Sequence, residues 1–184
     1  QDVTRLRQGS SERDAFLAKF GMLFQGGALF DSLTVWQNVA FRLLRGSLKR
    51  PRDEAREIAI EKLRRVGLKS EQADKFPGEL SGGMQKRVGL ARAICAEPEI
   101  IFFDEPTTGL DPVMSDSIDI LINNLAEKLK VTSIVVTHDM FSVKNVADRI
   151  AMIYEGKMYF TGTPTEVIES DDKIVKGFIQ RTGF

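Results

Sequence analysis

Hydrophobic and polar positions recur along the chain with two different spacings. Between Pro51 and Val66, apolar residues such as Ile58 and Leu63 stand on a charged background, and Gly67 follows them. This spacing is typical of an amphipathic helix that ends at a glycine. The apolar run from Glu99 to Phe103 instead predicts a short strand that is buried on both faces. The chain therefore combines helices with buried strands.

The remaining patterns give the order of the predicted elements. We expect further strands at 19–25 and 132–136, a hairpin around Glu155 and Gly156, helices at 35–44, 81–96, 113–129 and 140–147, and a helical tail from Pro164. Strands alternate with helices after position 97, which favours a parallel α/β sheet. We predict an α/β core made of residues 1–33 and 97–184, with a mainly parallel sheet and an inserted helical subdomain at 34–96.

Composition narrows the classes of protein that fit. The 26 Lys and Arg residues balance the 26 Asp and Glu residues, so no basic excess points to nucleic acid. No apolar run approaches the roughly 20 residues that span a bilayer. The single cysteine excludes an internal disulfide. These features favour a cytoplasmic protein, and any link to a membrane is expected to come through a partner.

Two adjacent acids stand where the predicted strand 99–103 ends. Asp104 and Glu105 precede the string PTTGLDP. Open α/β sheets place ligands at the carboxyl ends of parallel strands. In phosphate chemistry Asp104 would hold Mg²⁺, while Glu105 would orient and polarise the attacking water. One acid at such a position is also an ordinary loop or cap residue, but the longer string is much rarer.

A second string, LSGGMQKR, begins at Leu80. Ser81 stands at a predicted helix start and is followed by Gly82 and Gly83. Exposed N–H groups, the helix dipole and a hydroxyl together favour an anion site, and glycine lets a phosphate approach the backbone. The alternative interpretation is a simple helix cap with two flexible glycines.

Two further residues follow predicted strands. Gln25 precedes a pair of glycines, where its amide could contact Mg²⁺ or its water and move with the loop. His138, the only histidine, follows the strand 132–136, on the sheet edge expected for Asp104. That position suits a group that contacts a γ-phosphate, although a lone histidine is more often structural.

In their order and spacing, these strings resemble the nucleotide-binding subunits of ABC transporters over nearly the whole chain. Gln25 matches the family's Q-loop, residues 80–85 its LSGGQ signature, residues 100–105 its Walker B strand with the catalytic glutamate, Asp111 its D-loop and His138 its switch histidine. The resemblance implies a P-loop NTPase-like ABC ATPase core, with ATP and Mg²⁺ as cofactors. It also implies a two-fold dimer in which Ser81, Gly82, Gly83 and Asp111 contact ATP across the seam.

Two departures from the family pattern stand out. The fifth signature position is Met84 rather than glutamine, and no G-x-x-x-x-G-K-[ST] string occurs in the 184 residues. The family has that phosphate loop upstream of the Q-loop. We therefore expect the sequence to be an N-terminally truncated ABC ATPase domain, which alone does not hydrolyse ATP.

Within the family, the segment FGMLFQGGALFDSLTVWQNVAFRL resembles the ATPase of the Mla-type, or toluene-tolerance-type, phospholipid transporter. That resemblance implies a transmembrane permease, an MCE-domain protein and a STAS-domain protein as partners, and a place on the cytoplasmic face of the inner membrane. Apolar residues after the Q-loop could form a groove for a permease helix or simply pack the subdomain core: Leu29, Phe30, Leu33, Val35 and Trp36.

Other functions stay open at this point. The runner-up is the ATPase of an amino-acid or other polar-solute importer, since only residues 26–44 favour lipid transport. A non-transport ABC ATPase acting on ribosomes or DNA would be expected to show a basic excess or long insertions. A catalytically inactive interaction module is the remaining alternative, because the phosphate loop is missing from the sequence.

Overall fold

A computed structural model describes residues 6–181 of the chain. Its helices and strands follow one another in this order: α1 (Ser11–Ala18), β1 (Phe20–Leu23), α2 (Val35–Val39), α3 (Arg52–Arg65), α4 (Gly82–Ile94), β2 (Ile100–Asp104), α5 (Pro112–Leu129), β3 (Thr132–Val136), α6 (Met140–Val146), β4 (Ile150–Tyr154), β5 (Lys157–Gly162), α7 (Pro164–Ile168) and α8 (Lys173–Arg181). The predicted α/β class is confirmed. Helix α1 was missed, because its polar sequence buries no residue.

Strands β1, β2 and β3 form a parallel sheet in that order. Leu23 pairs with Phe103, and Phe103 pairs with Val135. The three strands therefore end at one edge, as predicted. Strands β4 and β5 form the predicted antiparallel hairpin, and its turn places Glu155 at φ 49° and Gly156 at φ 74°, both in the left-handed region.

Among the described residues, one face of the parallel sheet is covered more completely than the other. Ile101 and Phe103 are buried, whereas Phe102 between them is half-buried. Neighbours of Phe102 on the same face stay accessible, with Met22 40% and Ile134 43% exposed. The prediction that β2 is buried on both faces is therefore wrong for the described residues, because α4 packs on β1 from the side of Gly21 and Leu23.

Helix α4 lies unusually close to β1. A Cβ atom on Gly21 would lie 2.3 Å from the carbonyl oxygen of Ala93, and one on Gly89 would lie 2.6 Å from Cδ1 of Leu23. Both positions need glycine for this approach. The packing fixes the start of α4 relative to the carboxyl ends of the strands.

The described elements between residues 34 and 96 are helical, as predicted, but α2 ends at Val39 rather than Leu44. Turns follow it, and Arg42 there donates hydrogen bonds to the carbonyl oxygens of Phe20 (2.7 Å) and Leu17 (3.0 Å). Buried side chains of α2, α3 and α4 share one core with Leu23 and Phe103. A separate helical subdomain at 34–96 stays a prediction.

Candidate active site

Glu105 occupies a turn that leaves the end of β2 in a conformation rare for residues other than glycine. Its φ is 47°, in the left-handed region. Its N–H donates to the carbonyl oxygen of Val136 at 2.9 Å, and its own carbonyl accepts from the N–H of Thr108 at 3.3 Å. The turn thereby aims the Glu105 side chain along the sheet edge, toward the residues that follow β3.

The carboxylate of Glu105 contacts the only histidine. His138 Nδ1 lies 2.8 Å from Glu105 Oε1, and Thr108 Oγ1 donates to Glu105 Oε2 at 2.9 Å. The Glu105 side chain is 18% exposed and that of His138 73%. His138 thus lies beside the end of the Walker B-like strand, as predicted. Its imidazole is exposed to solvent, and the Glu105 carboxylate is largely buried.

This pair shifts the pKa values of both partners. Burial by itself raises the pKa of Glu105, but hydrogen bonds with His138 and Thr108 lower it below its ordinary value. The hydrogen bond with Glu105 raises the pKa of His138 above its ordinary value. The contact therefore favours an ionised carboxylate beside a protonated imidazole.

The two residues predicted to hold Mg²⁺ lie at the ends of neighbouring strands. Asp104 ends β2 and is half-buried, while Gln25 follows β1 and is exposed. Among residues 6–181 no group of three His, Cys, Asp or Glu side chains stands in a metal-binding arrangement. One carboxylate and one amide oxygen nevertheless suit Mg²⁺, which commonly takes one or two protein ligands together with phosphates and water.

A buried lysine that the sequence analysis missed connects these residues. Lys86 of α4 is 6% exposed. Its Nζ donates to the backbone carbonyl of Gln25, and to that of Glu105 at 3.2 Å. Lys86 stands three residues after Gly83 and four before Leu90, on the buried face of the helix. That spacing was the signal available in the sequence.

Arg92 of the same helix holds the loop after Gln25. Its guanidinium donates to the carbonyl oxygens of Ala28 at 2.7 Å and Gly27 at 2.5 Å. Helix α4 therefore hydrogen-bonds this loop from two positions. Lys86 lies near the start of the helix, and Arg92 lies near its end. The sequence offered no signal for Arg92 beyond its position in LARAI.

The predicted anion site at the start of α4 has a structural role for two of its residues. Ser81 caps the helix, and its Oγ accepts from the N–H of Met84 at 3.4 Å. A Cβ on Gly83 would lie 2.3 Å from Cε of Met114, the flexible end of that side chain, so Gly83 and Met114 pack closely. Gly82 has open space around its Cα, which leaves it accessible to a ligand. Phosphate binding at this helix start stays a prediction.

Asp111 lies at the start of α5, in the helix that packs on Gly83. Its Oδ1 accepts from the N–H of Met114 at 3.0 Å, so Asp111 is the N-cap of this helix. The side chain of Met114 joins the two helix starts. The signature-like and D-loop-like segments thus form one surface beside the sheet edge.

The apolar residues after Gln25 divide between the core and the surface. Val35 and Trp36 are buried in the core, which agrees with the packing alternative for these two residues. Phe30 remains 45% exposed and stacks on Phe41 with ring centroids 4.6 Å apart. Phe30 lines an apolar cavity of about 570 Å³ between β1 and the helical region. Within residues 6–181 no helix is both long enough and apolar enough to cross a membrane.

Comparison with known proteins shows which family the chain resembles. The family model described as ABC transporter matches residues 1–108. The chain is 41% identical over 160 residues to the "Probable ribonucleotide transport ATP-binding protein mkl" of Mycobacterium leprae, a match that covers 87% of this chain and 46% of that protein. It is 42% identical over 182 residues to the "Intermembrane phospholipid transport system ATP-binding protein MlaF" of Haemophilus influenzae, which covers 98% of this chain and 67% of the relative.

Solved structures show the same fold. The dimeric post-hydrolysis structure of the ATP-binding cassette MJ0796 with ADP and Pi matches with a TM-score of 0.72 and 32% identity, over 85% of this chain and 68% of the other. The present chain spans about half the length of the mkl relative, at 46%. Its strand order, its motifs and these matches agree, and the chain belongs to the ABC transporter family of ATP-binding proteins.

Proposed function

We propose that this chain is the catalytic part of an ABC transporter ATPase that drives phospholipid transport between the inner and outer membranes. The observation that carries the ATPase part of the proposal is the Glu105 carboxylate, 2.8 Å from His138 and directly after Asp104, whereas the phospholipid cargo is inferred from the MlaF relative, which is 42% identical to the chain. A sheltered acid, an exposed imidazole and a metal-binding carboxylate at one sheet edge suit hydrolysis of a nucleoside triphosphate.

Each residue of the site has a role in this proposal. Glu105 orients and polarises the attacking water as general base, and His138 contacts the γ-phosphate. Asp104 and Gln25 hold Mg²⁺, which neutralises charge on the phosphates when bound. In the described structure His138 and Glu105 hydrogen-bond each other. This contact uses Nδ1, so His138 can contact the γ-phosphate through Nε2 while it stays paired with Glu105.

The active form is proposed to be a homodimer. Ser81, Gly82, Gly83 and Asp111 of one subunit would contact the ATP that lies on Asp104 and Glu105 of the other. The open space at Gly82 supports this assignment. Support also comes from the dimeric state named for the related cassette MJ0796, which shares 32% identity with the chain.

The phosphate loop is the part of the chemistry that these 184 residues do not supply. Without its N–H groups and lysine, the β- and γ-phosphates lack their cradle. We propose that a polypeptide of residues 1–184 alone does not hydrolyse ATP, whereas the complete subunit does. Residues 34–96 are proposed to act as the helical subdomain that carries the signature-like segment.

The transport partners are inferred from the resemblance of residues 20–43 to the ATPase of Mla-type transporters. We propose a transmembrane permease that contacts the surface around Phe30, with MCE-domain and STAS-domain proteins in the same assembly. The exposed phenyl ring of Phe30 beside the loop of Gln25 supports this, because movement of the loop on ATP binding would reach the permease. The subunit would then lie on the cytoplasmic face of the inner membrane.

A second candidate is an importer of a polar solute such as an amino acid. The mkl relative favours it, because its name gives ribonucleotide transport and it shares 41% identity with the chain. The two candidates share the ATPase chemistry and differ only in the permease and its cargo.

The test uses the complete subunit with its permease in liposomes. For a lipid transporter we expect ATP-dependent transfer of a fluorescent phospholipid and ATPase activity that depends on the lipid composition. Uptake of radiolabelled ribonucleotides or amino acids without lipid transfer would favour the second candidate. A Glu105→Gln subunit serves as the inactive control in both assays.

A further inference from the structure

Lys86 joins two segments that the proposed reaction needs but that lie 80 residues apart in the sequence. Its ammonium group, buried between α4 and the sheet edge, donates to the carbonyl oxygens of Gln25 and Glu105. A buried cation is costly unless its donors are satisfied. The contacts are to main-chain atoms, so they fix the path of the backbone rather than one side-chain rotamer.

The backbone of Glu105 is in a conformation that needs such support. It is held at φ 47°, a conformation that strains a side chain-bearing residue. Its carbonyl oxygen accepts from both Lys86 Nζ and the N–H of Thr108, at 3.2 and 3.3 Å. The direction of the Glu105 side chain, and hence its 2.8 Å contact with His138, follows from this backbone conformation.

We infer that Lys86 is a positioning residue, which fastens the Gln25 loop to the backbone of Glu105 and so sets where the Glu105 carboxylate lies. In this inference Lys86 acts through the backbones of Gln25 and Glu105 rather than on the water or the phosphate. The inference rests on the proposed role of Glu105 for its functional meaning. Burial lowers the pKa of Lys86, and the charges of Glu105 and Asp104 oppose that shift, as expected for an ammonium held beside these acids.

The test uses the single histidine as a reporter, on the 184-residue chain itself. The imidazole of His138 is titrated by NMR in the wild-type protein and in Lys86→Met. If Lys86 positions Glu105, its loss loosens the pairing of Glu105 with His138, and the His138 pKa falls toward its ordinary value of 6.5. Removing a nearby positive charge, without any movement of Glu105, raises the His138 pKa instead. An unchanged or raised pKa overturns the inference.

Two further variants separate positioning from general destabilisation. Lys62→Met removes another buried lysine, which lies on α3. Its ammonium group pairs with Glu61 and with Glu97, each at 3.2 Å. We expect it to lower stability and to leave the His138 titration unchanged. Lys86→Arg keeps the charge and the donors, and we expect a His138 pKa closer to wild type than in Lys86→Met. Equal falls in both Lys86 variants overturn the role of its hydrogen bonds.

A measurement on the unaltered protein covers the case in which Lys86→Met does not fold. Cross-peaks are expected between the Cε protons of Lys86 and the α protons of Gln25 and Glu105, and their absence overturns the inference. Neither measurement depends on ATP turnover. An inactive complete subunit with these signals intact would count against the proposed function alone.

Discussion

The imidazole Nδ1 of His138 lies 2.8 Å from Oε1 of Glu105, and the contact spans the ends of two neighbouring parallel strands. The two residues are 33 positions apart. Their contact links the segments that follow β2 and β3. It also gives the site a property that can be measured without nucleotide.

The first prediction concerns the ionisation of this pair. In Glu105→Gln the imidazole loses its anionic partner, so the His138 pKa falls from its raised value toward 6.5. NMR titration of the single histidine measures this directly. Glu57→Gln, an exposed glutamate on α3, is the control and leaves the titration unchanged. A His138 pKa that is the same in wild type and Glu105→Gln would contradict the observed contact.

The same pair makes a pH-dependent contribution to stability. Because the pKa of His138 is raised in the folded protein, its pairing contributes fully to the free energy of unfolding below pH 6.5. That contribution is lost as the pH rises through the folded-state pKa of His138. The lowered pKa of Glu105 contributes above pH 4.5, and is lost as the pH falls through its folded-state value. The difference in free energy of unfolding between wild type and Glu105→Gln is therefore largest between pH 4.5 and pH 6.5, where both contributions are present. We expect less than about 1 kcal/mol, because His138 is exposed and solvent screens the pair.

The second prediction concerns turnover in the complete subunit. Glu105→Gln should retain ATP binding and lose about 10²–10⁴-fold in kcat, because the water loses its general base. His138→Ala should also lower kcat, through loss of the γ-phosphate contact. Steady-state ATPase assays and nucleotide-binding titrations measure the two effects separately. Near wild-type turnover in Glu105→Gln would refute the proposed role of the carboxylate.

The third prediction concerns sharing of the site between two subunits. Complete subunits carrying Ser81→Arg and others carrying Glu105→Gln are each expected to be inactive. In a mixed dimer, one ATP site carries both lesions and the other carries neither. Mixing should therefore restore part of the ATPase activity.

Subunit exchange needs its own measurement, for example by energy transfer between labelled subunits. Exchange without any recovery would show that the residues do not combine across the seam, or that both sites must be intact together. A matched mixture of two Glu105→Gln preparations serves as the control, since no intact site can form in it.

The fourth prediction concerns the packing of α4 on β1. Gly21→Ala places a Cβ 2.3 Å from the carbonyl oxygen of Ala93, and backbone cannot move aside cheaply. We expect a loss of about 1–3 kcal/mol in the free energy of unfolding, measured by urea denaturation of the chain. Gly78→Ala meets no atom within 4 Å and should change stability little. Equal stability of the two variants would mean that α4 lies farther from the strand.

The sequence by itself determined the class of the fold and the position of most of the site. Short apolar runs that end in polar residues gave the parallel strands, because strand burial and strand ends leave a local pattern. The acids at 104 and 105, the glutamine at 25 and the histidine at 138 could all be placed at strand ends. Whether Ser81 and Asp111 complete the site in a dimer stays a prediction.

Only the tertiary structure decided which of these residues touch, and what holds them. The partners of Lys86 are the backbone carbonyl oxygens of Gln25 and Glu105. Every residue has a backbone carbonyl, so the residue types in the sequence give no sign of this contact. The left-handed backbone of Glu105 is likewise a result of the turn that its neighbours enforce. Burial of Val35 and exposure of Phe30 depend on how α2 packs, which a local apolar pattern cannot specify. Contacts between distant segments form only when the chain packs into its tertiary structure. A sequence pattern reports only the local conformational preference of each segment.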